Sequence, residues 1–307
     1  IIASNGAKQT IYNAIMATVE AGDEVIIAAP FWGSYAEMVK YVGGIPVLVQ
    51  CQEDRGFKLQ AEELERSLTL RTKWLMLNSP NNPSGSLYTA EEYKALGDVL
   101  VNYPQCLLMS DDIYEHIRFD GIDFVSPAHV DPRLYDRTLT VNGVSKAFAM
   151  TGWRIGYAGG PPDLIKVMHK LQNQSTGNPN SIAQAATIEA LTGPQDIIQK
   201  RMKNFQERRD FMIDRLNNCP GLTCLKPDGA FYLYPNCSSH IGKVSPAGRK
   251  IKNDRDFVIY LLEEFGIGAV QGEAYGLSPH FRLSFAASMD HLHESCQRIQ
   301  TACQSLV

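Results

Sequence analysis

Short apolar segments alternate with segments of helical periodicity along the first half of the chain, and this alternation restricts the fold more than any other feature. The apolar segments are hydrophobic on both faces, which is typical of buried strands in a parallel sheet. The pattern therefore predicts an α/β unit of three layers, with a mostly parallel sheet between helices. The predicted strands are 24–29, 45–50, 73–78, 105–110 and 138–142, and the predicted helices are 9–20, 34–41, 61–68 and 89–102.

Three polar loops directly follow predicted strands: SPNNPSG at 79–85, SDDIYEH at 110–116 and NGVSK at 142–146. Parallel sheets bind their ligands beyond the carboxyl ends of the strands. We therefore expect these loops to meet at one site.

The sequence pattern changes after about residue 194. A charged stretch at 196–218 keeps one apolar side and predicts an amphipathic helix. Strands predicted at 221–225, 229–234 and 281–285 surround a predicted helix at 254–265, which indicates a smaller α+β domain. We expect a large domain over 1–193 and a small domain over 194–307, with the interdomain helix within 194–218.

The charge and the cysteines narrow the class of protein. With 29 basic and 33 acidic side chains the net charge is -4, without a long run of either sign, so no nucleic-acid partner is expected. No apolar run approaches the length of a bilayer span, so no membrane partner is expected either. Seven scattered cysteines without a C-x-x-C pair indicate reduced thiols and a cytoplasmic protein, and the histidines lack metal-ligand spacing, so no metal is expected. The chain opens without methionine, and we expect a segment upstream of Ile1.

Lys146 stands in a small, mostly apolar stretch, GVSKAFAMTGWRIGY, at 143–157. A lysine there either extends its ammonium group to water or has given up its charge by bonding covalently to an aldehyde. Composition does not choose between the two interpretations.

Two further features indicate an anionic ligand with an aromatic ring. Gly6, Ala7 and Lys8 precede or open a predicted helix, whose free N–H groups favour a phosphate, and Arg154 is a second candidate for the same anion. Asp111 ends an apolar strand, where a protonated ring nitrogen would be a good partner; the alternative is a helix cap.

Four other residues are candidates with common structural alternatives. Tyr114 lies three residues after the strand-terminal aspartate, and Asn82 is a turn residue by default. Trp32 either stacks on an aromatic ligand or packs in the core. Arg282, flanked by apolar residues, either faces a carboxylate inside the protein or lies on the surface.

Taken together, the motifs resemble those of one family. NGAKQ, AGDEVIIAAPFWGSY, NSPNNPSG, SDDIYEH, TVNGVSKAFAMTGWRIGYAGGP, SIAQAA, GAFYLYP and FRLSFAAS follow one another in the order seen in class I aminotransferases of fold type I. The chain is similar over its whole length to the aspartate and prephenate/aspartate members of this family. The resemblance implies pyridoxal 5'-phosphate as the cofactor.

The resemblance also implies roles at the cofactor ring. Lys146 is similar to the lysine that bonds to the cofactor aldehyde and then carries the proton during the reaction. Asp111 matches the aspartate that keeps the ring nitrogen protonated, and Tyr114 and Asn82 match the pair that binds the phenolic oxygen. Trp32 matches the ring that stacks on the cofactor.

Further roles concern the phosphate and the substrate. Gly6, Ala7, Lys8 and Arg154 match the phosphate-binding residues. Arg282 matches the arginine that binds the substrate α-carboxylate, with Trp32 and Asn82 beside the substrate. The catalytic set implied by the resemblance is Lys146, Asp111 and Tyr114.

The expected function is ping-pong transamination of amino acid metabolism, from an L-amino acid, aspartate first, to a 2-oxo acid such as 2-oxoglutarate or oxaloacetate. Two alternatives stay open: a prephenate or aromatic aminotransferase, and a non-catalytic module that senses the cofactor for a regulator. The resemblance further implies a homodimer in which 175–180 approaches the partner's phosphate.

Overall fold

A mixed sheet of seven strands lies at the centre of the first half of the chain. The computed structural model describes residues 1–307. The strands are β1 (Ile2–Ser4), β2 (Glu24–Ala29), β3 (Ile45–Gln50), β4 (Thr72–Asn78), β5 (Leu107–Asp111), β6 (Thr138–Gly143) and β7 (Gly156–Gly159). Their order is β1-β7-β6-β5-β4-β2-β3. Strands β2 to β6 run parallel, whereas β7 is antiparallel to both of its neighbours.

Helices cover both faces of this sheet. The helices of the first half are α1 (Ala7–Thr18), α2 (Ser34–Tyr41), α3 (Ala61–Ser67), α4 (Ala90–Leu100), α5 (Pro127–Val130), α6 (Pro162–Asn173) and α7 (Ser181–Thr192). Apolar side chains of α1, α2 and α6 pack on one face of the sheet, and those of α3 and α4 pack on the other. The predicted three-layer α/β architecture is therefore confirmed.

A second, smaller sheet lies in the last third of the chain. The strands are β8 (Tyr232–Leu233), β9 (Val270–Gln271) and β10 (Phe281–Ser284), and the helices are α8 (Asp196–Asn217), α9 (Asp254–Phe265) and α10 (Met289–Ser305). Strand β10 lies between β8 and β9 and is antiparallel to both. Its core also takes in Tyr114, Ile117 and Phe119 from the first half. The domain boundary at 193/194 stays a prediction.

The predicted elements agree best where periodicity is strong. The predicted boundaries of α2, β3 and α9 match the observed ones, and Thr89 caps α4 in a capping box with Glu92.

Two predicted strands of the smaller unit were wrong in extent. Residues 221–225 contribute only an isolated bridge from Thr223 to Asn236, and the strand predicted at 229–234 is reduced to β8. Pro227 and Pro235 lack the N–H that would extend a ladder. Strands β1, β7 and β9 were not predicted, because two to four residues are too few to show a period.

None of the helices combines the length and hydrophobicity that a bilayer crossing requires.

Candidate functional site

The three loops that follow β4, β5 and β6 meet at one pocket of about 270 Å³. Helix α1, the turn from Thr151 to Arg154 before β7, and the smaller sheet line its sides. The pocket gathers nine of the ten residues predicted for the site: Ala7, Lys8, Trp32, Asn82, Asp111, Tyr114, Lys146, Arg154 and Arg282. The tenth, Gly6, lies directly behind the Arg154 guanidinium.

Lys146 points into this pocket from the loop after β6. Its Nζ atom lies 5.3 Å from the ring centre of Tyr114 and 5.5 Å from that of Phe231. Burial lowers the pKa of Lys146, while the carboxylate of Asp111 acts in the opposite direction. A less strongly protonated amine is a better nucleophile toward an aldehyde. Of the two interpretations of this lysine, the geometry favours the reactive one.

The loop that carries Lys146 is held from outside the sheet. Arg201 of α8 donates a hydrogen bond of 2.9 Å to the Ala147 carbonyl. Ala149 has a positive φ of 54°, and its N–H bonds to the Lys146 carbonyl at 3.0 Å. The lysine therefore stands on a tight, anchored turn.

Asp111 is the last residue of β5 and is buried. The next helix begins at Pro127, so the helix-cap interpretation of Asp111 is wrong. The Tyr35 hydroxyl donates to its Oδ2 at 2.5 Å, and the Asn78 side chain holds its backbone carbonyl at 2.7 Å. Burial raises the pKa of Asp111 to about 6, and the hydrogen bond from Tyr35 acts in the opposite direction.

A cradle for an anion lies at the other end of the pocket. Gly6 caps α1 with a φ of 88°, and no side chain caps the helix. A Cβ atom on Gly6 would lie 2.5 Å from Arg154 Nη2, and one on Gly156 would lie 2.1 Å from the Ala7 nitrogen. These glycines therefore let the guanidinium and the backbone approach one another. Together with Lys8 and the helix N-terminus, they form a site suited to a phosphate.

Arg282 of β10 reaches the same pocket from the smaller sheet. Its Nη1 donates to Asn82 Oδ1 at 2.9 Å, and its guanidinium lies between the rings of Tyr232, at 4.5 Å, and Tyr275, at 5.2 Å. Arg282 forms no ion pair with any carboxylate of the chain, so its charge is available to a ligand carboxylate. The surface interpretation of Arg282 is wrong.

Trp32 lines the pocket beside the anion cradle. Its ring meets the Tyr35 ring edge-on at 5.4 Å, and Lys8 Nζ lies 4.7 Å from its centre. One face of the indole therefore belongs to the pocket rather than to the core.

Sequence reasoning missed seven of the sixteen residues that line the pocket, and three of them, Tyr35, Asn78 and Tyr232, make side-chain hydrogen bonds there. Each lies inside a motif that was recognised, namely APFWGSY, NSPNNPSG and GAFYLYP. Their partners are distant in sequence, so no local pattern marks them. The position of Asn78 at a strand end is the one usable signal.

The chemistry of these groups fits pyridoxal phosphate. The cradle suits its phosphate, Asp111 suits its ring nitrogen, Lys146 suits its aldehyde, and Trp32 offers a face to its ring. Fold and site together define a class of protein whose pocket suits an anionic aldehyde cofactor between a lysine and a buried carboxylate.

Comparison with known proteins agrees with this class. The model of the family "Aminotransferase class I and II" matches residues 1–299. An aspartate aminotransferase of Rhizobium meliloti (strain 1021) is 52% identical over 306 residues, covering 100% of this chain and 75% of that protein. An aspartate/prephenate aminotransferase of Cereibacter sphaeroides is 53% identical, covering 100% of this chain and 76% of that protein.

The similar solved structures belong to the same family of proteins. The crystal structure of the Rhizobium meliloti aspartate aminotransferase aligns with a TM-score of 0.97 at 52% identity, covering 99% of this chain and 76% of that one. The Thermus thermophilus aspartate aminotransferase with maleate aligns with a TM-score of 0.89 at 39% identity, covering 98% and 75%.

The chain belongs to the class I and II aminotransferases. It is an enzyme, a pyridoxal-phosphate-dependent aminotransferase of fold type I.

Proposed function

We propose that the chain transfers the amino group of L-aspartate to 2-oxoglutarate in a ping-pong reaction. The observation that carries the proposal is the convergence of Lys146, Asp111 and an unpaired Arg282 on one pocket. The printed names of the relatives, aspartate and aspartate/prephenate aminotransferase, support aspartate as the donor.

We propose the following residues as holders of the cofactor. The α1 N-terminus, with Gly6, Ala7, Lys8 and Arg154, holds the phosphate. Asn82 and Tyr114 lie at the position for the phenolic oxygen, and Trp32 covers the ring. When bound, pyridoxal phosphate supplies an aldehyde that accepts the substrate nitrogen and a ring that withdraws electrons from the substrate Cα.

The remaining chemistry belongs to side chains of the chain. Asp111, kept ionised near neutral pH with help from Tyr35, holds a proton on the ring nitrogen. Once the substrate amine has replaced it, the Lys146 amine would be the base that takes the Cα proton and delivers it to the aldehyde-derived carbon, two bonds away. Its pKa, lowered by burial, suits both tasks.

Arg282 binds the α-carboxylate of the amino acid. A guanidinium offers two parallel N–H groups to a carboxylate, so it fixes orientation as well as affinity. Because Arg282 also contacts Asn82, the amino acid would be bound beside a residue that we propose for the phenolic oxygen.

A prephenate or aromatic aminotransferase is the second candidate, and the name of the Cereibacter relative supports prephenate as a substrate. Prephenate is a 2-oxo acid and would be the amino acceptor, whereas aspartate, glutamate and phenylalanine would be donors. Competition among the three donors, and between prephenate and 2-oxoglutarate as acceptors, ranks the substrates directly.

We further propose a homodimer that acts in the cytoplasm. Helix α7 exposes Ile182, Ile188 and Leu191. An open cleft of about 520 Å³ is lined by Asn180 and Ala183 at the N-terminus of α7 and by Arg154 of the anion cradle. The seven cysteines are free and buried, which fits a reducing compartment.

The function is tested by the absorption spectrum of the cofactor-loaded chain before and after addition of L-aspartate or L-glutamate. We expect the band of the lysine-bound cofactor to disappear and that of its aminated form to grow. Lys146→Ala should lower the rate of this change at least about a thousandfold, because it loses both the covalent anchor and the base. Lys170→Ala, an exposed lysine of α6, is the matched control and should behave as wild type.

A spectrum that ignores every amino acid would contradict the aminotransferase proposal. It would favour the alternative of a module that binds the cofactor without turning it over.

A further inference from the structure

Tyr232 joins the smaller sheet to the catalytic side of the pocket. It lies on β8, which pairs with β10, so it stands beside the strand that carries Arg282. Its ring lies under the Arg282 guanidinium, with 4.5 Å from the guanidinium carbon to the ring centre. Its hydroxyl lies 3.0 Å from the hydroxyl of Tyr114. One buried side chain therefore contacts both the arginine and the tyrosine.

The hydrogen bond between the hydroxyls of Tyr232 and Tyr114 has a defined donor once the cofactor is present. Each tyrosine hydroxyl has one proton to donate. On the proposed function, Tyr114 gives its proton to the phenolic oxygen of the cofactor. The bond between the two tyrosines then runs from Tyr232 to the Tyr114 oxygen.

A phenol that accepts a hydrogen bond is a stronger donor, because hydrogen bonds in series polarise one another. The Tyr114 side chain is buried, and this burial raises the pKa of Tyr114 well above its ordinary value, while the nearby Arg282 charge lowers it. In such surroundings a single donated hydrogen bond changes donor strength more than it would in water.

The contact between the Tyr232 ring and the Arg282 guanidinium supports and orients the arginine. The Arg282 guanidinium stacks between the rings of Tyr232 and Tyr275, and its Nη1 bonds to Asn82. An aromatic face attracts a guanidinium and limits its rotation, so Tyr232 orients the group that receives the substrate carboxylate.

We propose that Tyr232 is a positioning residue that couples the carboxylate-binding Arg282 to the cofactor-binding Tyr114, through its ring on one side and its hydroxyl on the other. The inference rests on the proposed function and adds to it a residue with two separable tasks.

Two variants separate the tasks. Tyr232→Phe keeps the ring and removes the hydroxyl, whereas Tyr232→Leu removes both. Tyr260→Phe is the control, because it deletes another buried tyrosine hydroxyl of the smaller unit, bonded to the Ala302 carbonyl at 2.9 Å and remote from the pocket.

The hydroxyl is tested by a pH titration of the cofactor absorption band without amino acid. In Tyr232→Phe, Tyr114 should be a weaker hydrogen-bond donor and should stabilise the negative phenolic oxygen less. The midpoint of the pH titration should therefore rise by about 0.5 to 1 pH unit. In a Tyr114→Phe background the same substitution should cause no further shift. An unchanged midpoint, or an equal shift in Tyr260→Phe, overturns the proposal.

The ring is tested on the cofactor-loaded chain with succinate, a dicarboxylate without an amine, by titration calorimetry. Tyr232→Leu should weaken succinate binding about tenfold, and Tyr232→Phe should change it less than about twofold. Equal weakening by both variants, or none by either, overturns the orienting role of the ring.

The outcomes also separate this inference from the proposed function. A wild type whose cofactor band titrates with pH but that never transaminates contradicts the function alone, and the midpoint shifts of the Tyr232 variants then test the inference independently. A wild type that transaminates while Tyr232→Phe leaves the midpoint unmoved contradicts the inference alone. A wild type without a titrating band contradicts both.

Discussion

At the scale of single residues, the site depends on a carboxylate that burial makes weakly acidic. Burial raises the pKa of Asp111 to about 6, although Tyr35 and the backbone N–H of Ile113 favour its charged form. Without those two donors the carboxylate would be protonated nearer to neutral pH, and it would no longer hold a protonated ring nitrogen.

Cofactor affinity should therefore depend on pH through Asp111. The ionised form binds the protonated ring, so affinity should fall as pH drops below about 6. Tyr35→Phe removes the 2.5 Å hydrogen bond to the carboxylate and should move the onset of this fall upward by about one pH unit. At pH 7 the dissociation constant for pyridoxal phosphate should rise about twofold, and below about pH 6 the difference should approach tenfold.

The measurement is a set of cofactor titrations between pH 5 and pH 8, followed by absorption. Tyr41→Phe, whose ring is 72% exposed, is the control and should give the wild-type profile. Identical profiles for Tyr35→Phe and wild type would show that Tyr35 does not set the charge of Asp111.

At the scale of elements, strand β7 and helix α1 approach each other as backbone against backbone. A Cβ on Gly156 would lie 2.1 Å from the Ala7 nitrogen and 2.4 Å from the Gly6 carbonyl carbon. Gly159, on the same strand, has open space where its Cβ would be. The glycine at 156 is thus required by packing against the anion cradle.

Gly156→Ala should lower the free energy of unfolding by about 3 kcal/mol, because neither the strand nor the helix can move without losing hydrogen bonds. Gly159→Ala should change it by less than about 0.5 kcal/mol. Urea titrations of the two variants give the comparison. A Gly156→Ala variant as stable as Gly159→Ala would mean that β7 and the N-terminus of α1 can move apart at little energetic cost.

Helix α8 is attached to the loop after β5 by a buried arginine. Arg209 is fully buried and donates to both oxygens of Asp120 at 2.8 Å, to Asp210 and to the Pro227 carbonyl. The hydrogen bonds from Arg209 lower the pKa of Asp120 to about 2. This carboxylate is partly exposed, so solvent weakens the pair.

Asp120→Asn should destabilise the protein by about 1 to 2 kcal/mol at pH 7, since Arg209 keeps its other acceptors. The folded-state pKa is depressed, so the stabilisation is fully present above about pH 4 and disappears as pH falls toward about 2. About half of the difference should be gone by about pH 3. Asp98→Asn, in an exposed ion pair with Arg133, should cost less than about 0.5 kcal/mol. Urea titrations of wild type and both variants at pH 7 and at about pH 3 measure these free energies of unfolding. A difference between wild type and Asp120→Asn that does not change with pH would contradict the prediction.

At the scale of the whole molecule, the proposed dimer would cover a surface that water otherwise meets. Ile182 and Ile188 of α7 are 71% and 63% exposed. We take these two exposed aliphatic residues of α7 as part of the proposed interface between subunits. A partner on this surface would also border the cleft beside Arg154.

Ile188→Glu should therefore convert the dimer to a monomer at micromolar concentration, because it buries a charge without a partner. Sedimentation or light scattering gives the mass. Leu262→Glu, an equally simple change on exposed α9, should leave the dimer intact. A dimer that persists in Ile188→Glu would place the interface elsewhere.

The local patterns of the chain determined a good deal. Hydrophobic periodicity predicted α2, β3 and α9, because a helix or strand repeats its pattern within a few residues. The rule that ligands bind beyond the carboxyl ends of parallel strands gathered three loops into one site before any contact was known. The motif SKAFAMTGWRIGY, by resemblance, then assigned Lys146 and Arg154.

Only the tertiary structure decided how distant residues pair. Tyr35 and Asp111 are 76 residues apart, Tyr114 and Tyr232 are 118 apart, and Asn82 and Arg282 are 200 apart. The antiparallel placement of β7 beside β6 belongs to the same group. A local pattern reports which face of an element is apolar, whereas the order of strands and the packing of the smaller sheet decide which side chains meet. The pocket depends on such contacts, so nine of its residues could be predicted from the motifs, whereas Tyr35, Asn78, Tyr232 and their hydrogen bonds could not.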